Sequence, residues 1–200
     1  MTEIVLAQAV TTMRLSFLSA TALAAAIIAA ASVLVFSELP SLFVWAAFIG
    51  WASYDHSGAT PPAAVRSSAA LVFGVMMAWL VAVVVTAGVL PMNTAMSTAL
   101  AAGLASFLIV AASRTSCLSV VPATFYGFAA TFAYLGLCPG AFAIEAITTP
   151  SVRNVILTMP VSLVIGTGLG ILHGRLANFL AVDDGKSVRL DRSHSARLST

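Results

Sequence analysis

Few residues in this 200-residue chain could do chemistry, and most of those are held apart. Asp55 and His56 are adjacent, a carboxylate beside an imidazole, the make-up of a proton-sensing pair. They also follow directly on an apolar run, which fits a solvated helix end. Cys117 and Cys138 have no metal-ligand spacing and no histidine close by. They fall at opposite ends of one expected span and read as small apolar fillers rather than a disulfide. Asn154, with Ser151, has the character of a helix cap. His173 and Arg175 close the last apolar run and fit a headgroup anchor. No ATP-binding loop, metal-ligand cluster or Ser/His/Asp set is legible, so neither an enzyme nor a bound cofactor or metal is expected. No Asp, Glu, Lys or Arg stands in the middle of an apolar run. Intramembrane carboxylates usually mark proton or sodium coupling. Their absence points away from an ion-coupled pump and toward passive permeation of a small uncharged solute.

What remains is a set of glycines, aromatics and hydroxyls on two segments that resemble each other. Val44-Trp45-Ala46-Ala47-Phe48-Ile49-Gly50-Trp51-Ala52 aligns with Val121-Pro122-Ala123-Thr124-Phe125-Tyr126-Gly127-Phe128-Ala129. Downstream, Thr60-Pro61 and Arg66 parallel Thr149-Pro150 and Arg153. A mid-helix glycine costs about 1 kcal/mol relative to alanine, so Gly50 and Gly127 require a reason. Close helix contact through a small residue is one; a bare backbone lining a conduit is another, and the two are compatible. Phe48 and Phe125 are equivalent in the alignment. Facing each other across a pseudo-two-fold axis, they would form an apolar gate or a stacking slot. Trp51, Tyr126 and Phe128 extend that aromatic set, for which a lipid-facing or interfacial role is the plainer reading. Thr124, Tyr126, Thr131, Ser53 and Tyr54 carry hydroxyls. Singly, each can bond back to its own helix; together they could line a polar path.

These segments need an apolar scaffold, and the composition supplies one. The chain is 60% hydrophobic and 8% charged, against roughly 25% charged in a soluble domain. Folded in water it would expose large apolar patches. Apolar runs cover 17–36, 42–54, 67–90, 94–112, 118–137 and 155–172. A hydrocarbon core of ~30 Å takes ~20 helical residues, which five runs meet or approach; the second is too short unless its flanks extend it. Helices satisfy their own backbone in lipid, and the runs lack the alternation of a transmembrane barrel. The first run, with Ala29–Ser32 inside it, has some features of a cleaved signal. It continues through Phe36 as a true span does. With the N-terminus in the cytoplasm, Arg14, Arg66, Arg114 and Arg175 lie inside, as short-loop arginines should. Arg153 alone falls outside, in a loop it shares with Glu145. The net charge of +2 and the lack of a basic stripe exclude nucleic acid as a partner. Residues after Val182 are polar and read as a flexible cytoplasmic tail.

The expected fold is therefore an all-α polytopic bundle of six spans, arranged as two inverted three-helix repeats: residues 1–91 and 92–176, followed by a tail over 177–200. Inversion would place Arg66 and Arg153 at equivalent positions on opposite sides, accounting for the exception. Such repeats put a solute site near the midplane, marked by short or Pro/Gly-interrupted helices. Here those are the second and fifth spans, with Pro40 before one and Pro122 within the other. The patterns Trp45-x-x-Phe48-x-Gly50-x-Ala52-x-Tyr54 and Val121-Pro122-x-Thr124-Phe125-x-Gly127-x-Ala129-x-Thr131-Phe132-Ala133 resemble the small bacterial inner-membrane proteins grouped as DUF1097, over roughly residues 15–175. The resemblance implies a bacterial inner-membrane location and carries no activity. The expected function is a facilitative channel or uniporter, acting as a homo-oligomer in the bilayer. Its pore or gate would be Phe48, Gly50, Trp51, Thr124, Phe125, Tyr126, Gly127 and Thr131. The rival expectation is a non-transporting scaffold or regulatory subunit of a partner complex.

Overall fold

A computed structural model describes residues 15–181; Arg14 and the polar tail over 182–200 lie outside the described residues. Within them the chain is helical. The helices are α1 (Phe17–Ser37), α2 (Val44–His56), α3 (Pro61–Thr86), α4 (Thr94–Ala112), α5 (Val121–Leu137), α6 (Ile144–Thr148) and α7 (Val155–Leu180), with a 3-10 turn at Ser116–Leu118 before α5. Four of them, α1, α3, α4 and α7, are long and apolar enough to cross a membrane. With 13 residues, α2 rises only about 20 Å. With 17, α5 rises about 25 Å. Both fall short of a ~30 Å hydrocarbon core.

Helix boundaries follow local chemistry more than hydropathy. Before α3, the Thr60 hydroxyl accepts from the Ala63 N–H at 3.3 Å, and Pro61 and Pro62 occupy the first turn. A missing N–H costs nothing there, so the helix starts six residues ahead of the apolar run. The Asn93 side chain caps α4, accepting from the Met96 N–H at 2.9 Å. Pro122 also sits in a first turn and starts α5 rather than interrupting it. The interior proline is Pro160, in α7. Its ring removes one backbone hydrogen bond and crowds the carbonyl a turn earlier. Helix α7 continues past Leu172, the end of its apolar run, and past the tail boundary at Ala177, through His173 and Arg175 to Leu180.

The contacts divide the chain into two units. In the smaller one, residues 15–29 and 173–181 of the described chain, the Leu15 N–H donates to the Leu180 carbonyl at 3.4 Å. A ring nitrogen of His173 meets the Thr21 carbonyl at 3.2 Å.

The larger unit, residues 30–172, holds α2 to α6 entire and the adjoining parts of α1 and α7. Its core is small-residue and aliphatic: Ala70, Leu71, Val75, Ala123, Ala130, Ile147, Met159 and Leu163. A second cluster joins Met77 and Val81 of α3 to Ala105 and Ile109 of α4, with Phe125, Phe128 and Phe132 of α5 against it. Ala, Gly and Ser recur on the buried faces because helices in lipid gain stability from close van der Waals contact, which small residues permit. Helix α4 turns Leu100, Leu104 and Phe107 outward. That stripe would be a liability in water and is the natural face in hydrocarbon.

Candidate functional site

Two helix crossings dominate the larger unit, and both are made by glycine. At Gly50 of α2 an added Cβ would overlap the main-chain carbonyl of Leu163 in α7. At Gly166 of α7 it would overlap the carbonyl of Ala47 in α2. The crossing is thus reciprocal, each helix giving a glycine to the other's carbonyl. Helices α5 and α3 repeat it: a Cβ at Gly127 would overlap the Leu71 carbonyl, and one at Gly74 the Thr124 carbonyl. Gly50 and Gly127 therefore sit in closed backbone contacts and not on an open wall. The local sequences match as well, Leu71-Val72-Phe73-Gly74 against Leu163-Val164-Ile165-Gly166.

The aromatics do not assemble across α2 and α5. Phe48 meets Trp51 edge-on within α2, with centroids 6.3 Å apart. Phe125 meets Phe128 at 6.5 Å within α5, and Phe128 meets Phe132 at 5.0 Å. Phe48 and Phe125 make no ring contact with each other among the described residues. Their equivalence places them on like faces of two helices that each turn the ring toward a neighbour in the same helix. Trp51 and Tyr54 instead cover Gly170 of α7, where a Cβ would stand 3.0 Å and 2.6 Å from their rings. Tyr126 is exposed, edge-on to His56 at 6.4 Å.

The hydroxyls divide. Thr131 bonds back to the Gly127 carbonyl at 2.9 Å, so it serves its own helix. Thr124 is buried and contributes its carbonyl to the Gly74 crossing. Ser53 of α2 and Ser67 of α3, both fully buried, share a hydrogen bond of 2.7 Å. Ser68 of α3 donates to the Thr167 hydroxyl of α7 at 3.3 Å. Toward the start of α7, Ser162 donates to the Thr158 carbonyl at 2.8 Å and accepts from the Phe43 N–H at 3.1 Å. The Thr158 hydroxyl is buried with no hydrogen-bond partner.

Thr158 lies on a half-open cavity of about 700 Å³. Its walls come from the entry to α2, the end of α5, the connection over residues 138–154 and the first turn of α7. The wall is tied to three helices. Trp79 of α3 donates its indole N–H to the Ile147 carbonyl at 2.9 Å. Asn154 donates to the same carbonyl at 3.1 Å and to that of Thr149 at 2.8 Å, and its side-chain oxygen accepts from the Ile156 N–H at 3.1 Å. Tyr134 of α5 donates to the Arg153 carbonyl at 2.7 Å and packs edge-on against Phe43, centroids 5.2 Å apart. Glu145 and Arg153 line the same space.

The residues singled out by sequence thus lie at helix crossings or along single helices. Of the cavity's lining, Ser151 was expected beside a cap and Arg153 and Glu145 as loop charges. Asn154, as expected, caps α7. The signal for the crossings was available in the Leu-x-x-Gly repeat of α3 and α7; nothing local marked Thr158. Arg66 lies in the body of α3, whereas Arg153 precedes α7, so the two arginines hold different helical positions. A family model described as a protein of unknown function, DUF1097, matches residues 22–178. No curated protein and no solved structure matches the chain.

Proposed function

The chain belongs to the DUF1097 family, and we propose that it is a facilitative channel or uniporter for a small solute of no net charge in the bacterial inner membrane. In this reading α1 to α3 and α4, α5 and α7 are two inverted repeats, with both termini cytoplasmic. The observation that carries it is the doubled reciprocal crossing. Exchanging α2 for α5 and α3 for α7 turns the Gly50–Leu163 and Gly166–Ala47 contacts into Gly127–Leu71 and Gly74–Thr124. That exchange is what an inverted repeat would produce, and the interface of such repeats is where transport sites sit. Spans of 13 and 17 residues at that interface fit as well, because inner helices shielded from lipid need not match its full thickness.

Buried hydroxyls support a path with two polar ends. Thr158 and Ser162 stand at the cavity end, and Ser53, Ser67 and Thr167, with the half-buried Ser68, form the other group. Leu71 and Leu163, both fully buried, lie between them along α3 and α7. They are equivalent in the doubled crossing, and they act as an apolar plug in a closed conformation. They replace Phe48 and Phe125 in that role. Few spans enclose little volume, so the working form is a homo-oligomer.

Flux of glycerol, urea and a zwitterionic amino acid into proteoliposomes tests this, with Leu71→Ala and Leu163→Ala combined as the variant. The double variant is expected to admit solute faster than wild type. Wild type and variant both indistinguishable from empty vesicles would end the transport reading. The closed crossings also suit a rigid scaffold, which a stoichiometric co-purifying partner, together with absent flux, would favour.

A further inference from the structure

We propose that the cavity walled by residues 138–154 binds a small zwitterion, taking its carboxylate at Arg153 and its ammonium at Glu145. The proposal deepens the transport reading by naming a solute class and rests on it for its biological sense. The site itself is argued from four observations that do not depend on transport.

The first is the break in the duplication. Residues 57–60 suffice to join α2 to α3, but residues 138–154, with α6 among them, join the equivalent α5 to α7. The longer connection is the part of the larger unit that the repeat does not require, and it walls the cavity. The second is order. Trp79 and Tyr134 each hold that connection by a hydrogen bond to its main chain, and Asn154, its last residue, makes two more within it. A connection fixed to this degree presents its side chains in defined places. The third is Thr158, a residue of the cavity wall that is 3% exposed and whose buried hydroxyl has no partner. A helical threonine can satisfy itself on the carbonyl four residues back. Here that carbonyl, of Asn154, receives the N–H groups of Leu157 and Thr158 instead. A buried unsatisfied hydroxyl is unfavourable, and a polar group entering the cavity would relieve it.

The fourth observation is the charge. Glu145 and Arg153 line one space, are exposed, and form no ion pair with each other. One unpaired charge of each sign in one cavity suits a ligand that carries both and no net charge. A guanidinium holds a carboxylate through two parallel hydrogen bonds; a carboxylate takes an ammonium. Phe43, Ala141, Ala146 and Ile147 give the wall an apolar part that accommodates an aliphatic side chain, beside the hydroxyl-bearing Ser41, Thr149 and Ser151. The volume of about 700 Å³ lies within the ~300–1,000 Å³ usual for small-molecule sites.

The test uses the full chain in lipid nanodiscs and titration calorimetry with L-leucine, 4-methylpentanoate, 3-methylbutylamine and glycerol. L-Leucine is expected to bind about tenfold or more tightly than either singly charged probe. Arg153→Gln and Glu145→Gln are each expected to weaken it by about tenfold, and Thr158→Val by less. Arg153→Lys should restore part of the loss, since it keeps the charge but not the fork. Equal binding of all four probes, or unchanged L-leucine binding in both charge variants, would overturn the site. Tight, variant-sensitive binding without flux would leave the site standing and remove transport. Flux of glycerol without L-leucine binding would do the reverse.

Discussion

Gly50 lies so close to the main-chain carbonyl of Leu163 that no side chain fits between them. The same relationship joins Gly127 to Leu71, and each is answered by a glycine from the other helix. In a membrane, where apolar contact with lipid is no worse than apolar contact with protein, a helix pair gains from the closest backbone approach. These contacts fix the axial register of α2 on α7 and of α5 on α3. They also place Leu163 in the first crossing and Leu71 in the second.

Alanine at Gly50, Gly74, Gly127 or Gly166 would therefore drive a methyl group into backbone, which cannot turn aside as a side chain can. Each substitution is expected to lower stability by about 1–3 kcal/mol or more, the range of overpacked cores. Gly103, in α4, has open space where its Cβ would stand. Gly103→Ala should be neutral or slightly stabilising, because alanine is the better helix residue. Denaturant titration in mixed micelles, followed by circular dichroism, checks the contrast. Equal losses at Gly50 and Gly103 would contradict it.

The Ser53–Ser67 bond makes a different prediction. Both residues are fully buried and 2.7 Å apart. Removing one hydroxyl strands the other, at a cost of about 1–3 kcal/mol, while removing both leaves two small apolar groups and can be nearly neutral. Ser53→Ala and Ser67→Ala should each destabilise, and the double variant should recover most of the loss. A cycle with additive effects would mean that the hydroxyls do not depend on each other.

Much of this arrangement was legible beforehand, and the gaps have physical causes. Hydropathy marked every helix except α6, because burial in lipid demands long apolar runs. The likeness of α2 and α5 was readable because Gly50 and Gly127 sit between matching residues. The matching Leu-x-x-Gly of α3 and α7 is hidden in the sequence, because the long connection over residues 138–154 shifts its spacing relative to that of α2 and α5. The nearby Thr-Pro pairs align Arg66 with Arg153, whereas the glycine crossings match α3 to α7 in another register. Pro122 has the look of an interruption in an apolar run but opens a helix, since proline is favourable in a first turn. The cavity was invisible because its walls come from four separate stretches of chain. Its most telling group, Thr158, is notable only for a hydrogen bond it does not make.

Ordering of the cavity wall rests on few bonds and can be loosened selectively. The Ile147 carbonyl accepts from Trp79 and from Asn154. Trp79→Phe removes the first donor and Asn154→Ala removes the second, together with the bond to Thr149. Each bond contributes about 1 kcal/mol, so amide exchange across Ile144–Thr148 should quicken by roughly fivefold per bond lost. Hydrogen exchange read by mass spectrometry resolves that segment. The α2–α7 crossing should keep its protection in both variants. Unchanged exchange at Ile144–Thr148 would show that these bonds do not hold the wall.

The native cysteines supply a test of topology. Cys117 is exposed in the turn before α5, and Cys138 follows directly on the last residue of α5. A helix of 17 residues is short for a span, so whether it carries the chain across decides between two inverted halves and some other arrangement. With Cys117→Ser and Cys138→Ser each leaving one thiol, a membrane-impermeant maleimide should reach Cys138 from the periplasmic side of intact cells. Cys117 should react only after permeabilisation. The half-buried Cys138 will label more slowly than an exposed thiol, so the comparison is made at saturation. Labelling of both from one side would mean that α5 returns to the face it left. The two glycine crossings would then be a likeness of local contact, without an inverted pair of repeats behind it.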